Sequence, residues 1–248
     1  MRRTTGSLLL TGTLLAGAFG GALPANAIAN GEAVPIGKYG FSVKLTMTGI
    51  PTADGGKRDS ACSGALINRR WVITAGHCFR DANGVRVERP VADETTATVG
   101  RTDLTSNAGT ETTVVAVRQS PTADVALARL AEPVGDVEPI VLSPTAPKVG
   151  AQVRLTGYGS VTSTNPVPET RLRTGTMKVA EVTASVTELT GNATPCPYDS
   201  GGPFFLQTRG GPRLVAVVSN GPSCPHDEYE HAARTDNITG WIKGQIRE

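Results

Sequence analysis

Residues 196–203 read Cys196-Pro197-Tyr198-Asp199-Ser200-Gly201-Gly202-Pro203. Taken alone, a serine set between an acid and two glycines is a turn. Two earlier stretches change its meaning. Residues 71–78 read Trp-Val-Ile-Thr-Ala-Gly-His-Cys, and residues 123–130 read Ala-Asp-Val-Ala-Leu-Ala-Arg-Leu, with Asp124 leading into an apolar run. The three together offer what acyl transfer needs. A serine hydroxyl is a weak nucleophile at neutral pH, so an imidazole must take its proton as it attacks a carbonyl. A carboxylate must hold that imidazole in one tautomer and stabilise its cation. His77, Asp124 and Ser200 are therefore the candidate catalytic residues.

Strand-like runs recur at short intervals: Phe41–Thr48, Ala61–Ile67, Trp71–Thr74, Thr112–Arg118, Asp124–Leu130, Gln152–Thr156, Thr174–Val179 and Leu214–Ser219. Turn chemistry separates them, as in Asp54-Gly55-Gly56, Asn83-Gly84 and Gly210-Gly211-Pro212. With 29 glycines and 17 prolines in 248 residues, the chain is too punctuated for a helical bundle. The pattern predicts antiparallel sandwiches or barrels. The tail differs: Asp236 or Asn237 can cap a short helix with Ile238, Trp241, Ile242 and Ile246 on one face. The Pro-rich stretch 132–147 is the candidate linker between two halves.

The first 27 residues read as a secretory leader. Met1-Arg2-Arg3 is a positive start, Leu8 to Phe19 a short apolar stretch, and Ala25-Asn26-Ala27 a small-x-small cleavage site. The formal net charge of +2 comes from this segment: it holds Arg2 and Arg3 and no acid, so the remainder carries 22 basic and 22 acidic residues. That balance gives no basic excess for a nucleic-acid partner. No run of 18 apolar residues suggests an ordinary membrane span. Export implies an oxidising compartment, where Cys62, Cys78, Cys196 and Cys224 would pair. Four cysteines allow three pairings, and the sequence alone does not choose. No ligand spacing suggests a metal, and no cofactor is expected. His226 and His231 read as surface or loop histidines.

The three motifs, in this order, resemble those of the trypsin/chymotrypsin-like serine peptidases, and the chain is read as a secreted bacterial member of that group. The likeness runs from Ile28-Ala29-Asn30-Gly31 to the tail with Trp241. It implies an all-β fold of two packed six-stranded antiparallel β-barrels with a short C-terminal helix. The divisions would be 1–27 (signal peptide), 28–138 (N-terminal barrel with His77 and Asp124) and 139–248 (C-terminal barrel with Ser200, plus the helix). It implies a monomeric serine endopeptidase acting on protein or peptide substrates. Ser200 would be the nucleophile, His77 the base and then the acid, Asp124 the orienting carboxylate. The backbone N–H groups of Tyr198 and Ser200 would form the oxyanion hole. The disulfides would be Cys62–Cys78 and Cys196–Cys224. A freed Ile28 ammonium would pair with Asp199, and cleavage after Ala27 would create it directly.

The chain also departs from the family pattern. Tyr198 stands where the family keeps glycine, the residue used for unusual dihedrals. It either strains the oxyanion hole or is tolerated with its ring turned to solvent. At the base of the specificity pocket, Thr194 replaces the aspartate of trypsin-like members. Ser219, Asn220 and Gly221 would form the wall, and Glu230 would occupy a lining position that is usually glycine, unless its loop is offset and it is solvated. A non-catalytic binding homologue and a hydrolase acting mainly on esters are the alternative readings.

Overall fold

A computed structural model describes Met1 and residues 28–247 of the chain; the segment read as a leader otherwise lies outside the described residues. A two-residue strand β1 (Glu32–Ala33) precedes β2 (Ser42–Pro51), β3 (Lys57–Asn68), β4 (Trp71–Thr74), β5 (Glu94–Val99), β6 (Thr110–Gln119) and β7 (Ala126–Leu130). Strands β2 to β7 close antiparallel in the order β2-β3-β4-β7-β6-β5. After a short β8 (Val141–Leu142) come β9 (Gln152–Gly157), β10 (Arg173–Val182), β11 (Val186–Thr190), β12 (Pro203–Thr208), β13 (Gly211–Asn220) and β14 (Glu230–Arg234). These last six close in the order β9-β10-β11-β14-β13-β12, because β9 pairs with both β10 and β12. Strand β1 hangs on β10, and β8 on β13.

Small barrels are filled by the inward residues of every strand. Val43, Leu45, Leu66, Ile73, Val99, Val117 and Leu127 fill the first. Ile28, Leu155, Met177, Leu189, Phe204 and Val215 fill the second. Strand β6 shows how pattern becomes packing. Thr112 and Val114 point inward, Thr113 and Val115 outward, and a register shift between Val114 and Ala116 then brings Val117 inward. The barrels meet where the hydroxyls of Ser42 of β2 and Thr156 of β9 lie 2.8 Å apart, and where the ring of Phe41, just before β2, meets that of Phe205 of β12 edge-on at 5.3 Å.

The tail forms a single 3-10 turn, Asp236–Ile238, followed by helix α1 (Thr239–Gln245). Ile238 and Ile242 are buried, and Trp241 and Ile246 pack beside them on the core that fills the first barrel. The expected side-chain cap is absent: no side chain caps either segment, Asp236 instead binds Arg234 at 2.8 Å, and the Asn237 amide donates to the Ala184 carbonyl. Within the stretch 132–147, β8 pairs in parallel with Arg213 and Leu214 of β13.

Candidate active site

Strands β4 and β7 are neighbours, with Thr74 opposite Ala126. His77 lies in the 3-10 turn Gly76–Cys78 just after β4, and Asp124 lies just before β7. Antiparallel pairing therefore brings the two residues to the same barrel end. Asp124 precedes β7 rather than starting it. Its Oδ1 accepts the His77 backbone N–H at 2.9 Å, and its Oδ2 lies 2.7 Å from His77 Nδ1. The Ser219 hydroxyl donates to the same Oδ2 at 2.7 Å, and Arg86 Nη1 stands 3.7 Å from Oδ1. Burial pushes the Asp124 carboxyl up, but the hydrogen bond and charge of His77, with the Ser219 hydroxyl, outweigh it and bring the pKa down to about 2. The carboxylate is ionised at neutral pH, and a proton on Nδ1 leaves the far ring nitrogen, Nε2, free to accept one.

Ser200 comes from the second barrel, in the turn before β12. Gly201 and Gly202 bond to Val218 of β13 at 2.8 and 2.9 Å, which fixes the turn beside Ser219. The Ser200 carbonyl accepts the Ser63 N–H of β3 at 2.9 Å, tying the turn to the first barrel. Ser200, His77, Cys78, Pro197 and Tyr198 line one cavity of about 330 Å³, together with Met47 and Ile50. The two disulfides are Cys62–Cys78, beside His77, and Cys196–Cys224, at the Ser200 turn. They span sequence separations of 16 and 28 residues, for which chain entropy alone gives about 3.1 and about 3.6 kcal/mol.

Tyr198 has φ +77°, the left-handed region that favours glycine. The Pro197 carbonyl accepts the Ser160 N–H at 2.8 Å. A trans peptide directs its C=O and N–H to opposite sides, so the Tyr198 N–H faces away from Ser160. Its ring is not simply turned to solvent. The residue is half-buried, its ring lies over the Lys44 ammonium at 5.8 Å, and its hydroxyl reaches the Pro166 carbonyl at 3.5 Å.

Asp199 is fully buried, with Oδ1 accepting the Gly159 N–H at 2.8 Å and Oδ2 the Cys196 N–H at 3.0 Å. Burial raises its pKa to about 7, against these bonds, the Lys44 charge and a hydrogen bond from the Ile28 N–H. A Cβ on Gly157 or Gly159 would overlap this carboxylate, so only glycine fits there. Ile28 is itself fully buried, and Ala29 exchanges two backbone bonds with Thr194.

On the other side of Ser200 lies a second cavity of about 330 Å³, lined by Pro195, Ser219, Asn220, Gly221 and Glu230 among others. Thr194, expected at its base, is not among the lining residues; it is fully buried, with its hydroxyl unpaired. Glu230 opens β14, and its side chain is 3% exposed. A Cβ on Gly221 would strike its carboxyl. Burial, with a further push from the Asp199 charge, raises the Glu230 pKa to about 9. His226, read from sequence as a surface or loop histidine, has a side chain 4% exposed, with Nε2 3.4 Å from Glu230 Oε2 and Nδ1 3.2 Å from the Glu228 carbonyl. The His226 Nε2 is buried and has no hydrogen-bond partner among the described residues. No motif announced His226, Arg86 or Lys44, and Ser219 was read only as pocket wall.

No group of three or more potential metal ligands occurs among the described residues, and none of their helices is long and apolar enough to cross a membrane. A profile described as Trypsin matches residues 28–242. The chain is 30% identical over 209 residues to Kallikrein 1-related peptidase b22 of Mus musculus, covering 73% of this chain and 78% of that one. It is 27% identical over 208 residues to Snake venom serine proteinase 14 of Crotalus adamanteus, covering 75% and 78%. Transmembrane protease serine 9 of Rattus norvegicus is 28% identical over 247 residues, 89% of this chain but only 22% of the relative, so the chain spans about a fifth of that protein's length. These relatives are animal proteins and lend no support to a bacterial origin. With two closed six-stranded barrels and a match over nearly all the described residues, the chain belongs to the trypsin family of serine endopeptidases.

Proposed function

We propose that the protein is a secreted endopeptidase that cleaves peptide bonds through Ser200, with His77 and Asp124, by way of an acyl-enzyme. The observation that carries this reading is the Asp124 carboxylate. It grips His77 at both the backbone N–H and Nδ1, while His77 and Ser200 line one cavity. With Nδ1 donating to Asp124, Nε2 takes the proton of Ser200 as the hydroxyl attacks the substrate carbonyl. The negative oxygen so formed is received by the N–H groups of Tyr198 and Ser200; each such donor contributes about 2.7–4 kcal/mol to the transition state. His77 then returns the proton to the leaving amine, and water repeats the sequence on the acyl-Ser200 ester. The side chain of the residue that supplies the attacked carbonyl would enter the second cavity and meet Pro195, Ser219, Asn220, Gly221 and Glu230.

Activation belongs to the same reading. The Ile28 N–H already bonds the Asp199 carboxylate. Cleavage before Ile28 converts that amide into an ammonium, and the buried acid gains a full opposite charge. Leader removal after Ala27 would do this in one step, with no separate zymogen.

Labelling with a fluorophosphonate tests the nucleophile: wild type should label and Ser200→Ala should not, with both retaining the same circular dichroism. Casein cleavage beside p-nitrophenyl ester cleavage then separates peptidase from esterase. A Ser200→Ala variant that still labels and still cleaves would overturn the assignment, and a wild type that does neither would make the chain a binding homologue.

A further inference from the structure

Lys44 lies on β2 between Val43 and Leu45, which point into the first barrel. The alternation of a strand turns Lys44 outward, but the second barrel covers it, and it is 5% exposed. Its ammonium crosses to that barrel and donates to the Tyr158 carbonyl at 3.2 Å. Burial lowers its pKa to about 8, and the Asp199 carboxylate opposes the change. A buried ammonium is expensive unless its partners compensate. The Asp199 charge acts on it, and the Tyr198 ring centroid lies 5.8 Å away.

Those partners share one place in the molecule. Tyr198 is held at φ +77°, a conformation that persists for a side-chain-bearing residue only when its surroundings fix it. The Tyr198 carbonyl accepts the Ser63 hydroxyl at 3.1 Å, and the Ser63 oxygen accepts the Tyr158 N–H at 3.0 Å. Two residues beyond Tyr158, the Ser160 N–H holds the Pro197 carbonyl. Lys44 thus touches both the segment that pulls on the 197–198 peptide and the ring of the residue that presents its N–H.

We propose that Lys44 is a positioning residue of the oxyanion site: its ammonium holds the Tyr198 ring and the Tyr158 carbonyl together, and so keeps the Tyr198 N–H turned toward the reacting carbonyl. The inference rests on the reading of Ser200 as nucleophile and the Tyr198 N–H as donor. It explains how a tyrosine occupies a glycine-like backbone position without losing the donor.

Lys44→Met keeps the length of the side chain and removes the charge. The readouts are the second-order rate of fluorophosphonate labelling and kcat and KM for p-nitrophenyl acetate. Labelling rate and kcat should fall about tenfold with KM within about twofold, the size that a desolvated cation–ring contact can carry. Tyr198→Leu removes the ring and keeps the Cβ, and should lose a similar factor. The double variant should lose no more than either single one, because both break the same contact. In a Tyr198→Gly background the Lys44→Met loss should shrink to under about threefold, since glycine takes this φ unaided. Losses that multiply in the double variant would overturn the proposal, as would an unchanged kcat and labelling rate in Lys44→Met. Should Lys44→Met fail to fold, Tyr198→Leu decides: an unchanged labelling rate overturns the proposal and an about tenfold loss at constant KM supports it. Labelling that survives Ser200→Ala is a separate failure, of the nucleophile assignment itself.

Discussion

Replacing Glu230 by glutamine should change which side chains the pocket accepts, and should do so as a function of pH. The Glu230 carboxyl is 3% exposed, and burial raises its pKa from 4.5 to about 9. At pH 7 the empty pocket therefore holds a neutral acid, about two pH units below its titration. A cationic arginine or lysine side chain binds best to the ionised form, and ionising Glu230 costs about 1.4 kcal/mol per pH unit, or about 2.7 kcal/mol at pH 7. A phenylalanine side chain incurs no such cost. The assay is a pair of peptide p-nitroanilides that differ only in the residue supplying the attacked carbonyl. The ratio of kcat/KM for arginine over phenylalanine should rise by up to about tenfold per pH unit between pH 6 and 8, and level off near pH 9. The ratio cancels titration of the catalytic groups, which both substrates share. Glu230→Gln should flatten it across the range and lower it above pH 8. A flat ratio in wild type would refute the reasoning, and a slope surviving in Glu230→Gln would move the titration to Asp199. Stability supplies a second sign. A carboxyl whose folded pKa lies above its unfolded value is deprotonated first in the unfolded chain, so stability falls as pH rises from about 4.5 to about 9. Glu230→Gln should remove that decline in thermal melts.

Asp124→Asn should leave the fold intact and lower kcat by about 10⁴-fold, the cost of the same change in a related triad, because the neutral amide no longer holds His77 in the required tautomer; a loss under about tenfold would show that His77 is oriented by other contacts. Acetylating Ile28 in the cleaved protein should abolish most activity, since it removes the ammonium beside Asp199. In the unblocked protein the partner raises the α-amino pKa above its usual value near 8, so the pair's contribution to stability and activity is present below that value and is lost as pH rises through the raised one. N-terminal sequencing that finds another start would defeat the one-step activation. Replacing both Cys62 and Cys78 by serine should lower stability by about 3 kcal/mol and kcat as well, because Cys78 anchors the turn that carries His77; unchanged kcat in the folded variant would limit the disulfide to stability.

The barrels were legible where inward residues are large and apolar, as in β2, β4, β7 and β13. Strand β5 reads Glu-Thr-Thr-Ala-Thr-Val, with Thr95 and Ala97 facing in, and β14 turns Glu230 and Ala232 inward. Small or polar inward residues leave no apolar alternation, so those strands stayed hidden until pairing with their neighbours closed the barrels. Strand β12 begins at Pro203, inside a motif that reads as a turn. His77, Asp124 and Ser200 were legible for a different reason: the chemistry restricts the residue types. What surrounds them is not restricted in that way. Lys44 meets Tyr158 across 114 positions, and Ser219 meets Asp124 across 95; neither contact has a local signature. Two local rules are nevertheless broken visibly in this molecule. A tyrosine takes a backbone conformation suited to glycine, and a lysine is buried. Either violation alone would count against the sequence specifying this structure. Their contact changes that judgement, because the ring supplies part of what the ammonium lost from water and the ammonium helps to hold the ring where the backbone would not settle by itself. Paired violations that offset one another at a reacting centre are what selection for a site, rather than for stability alone, leaves in a fold.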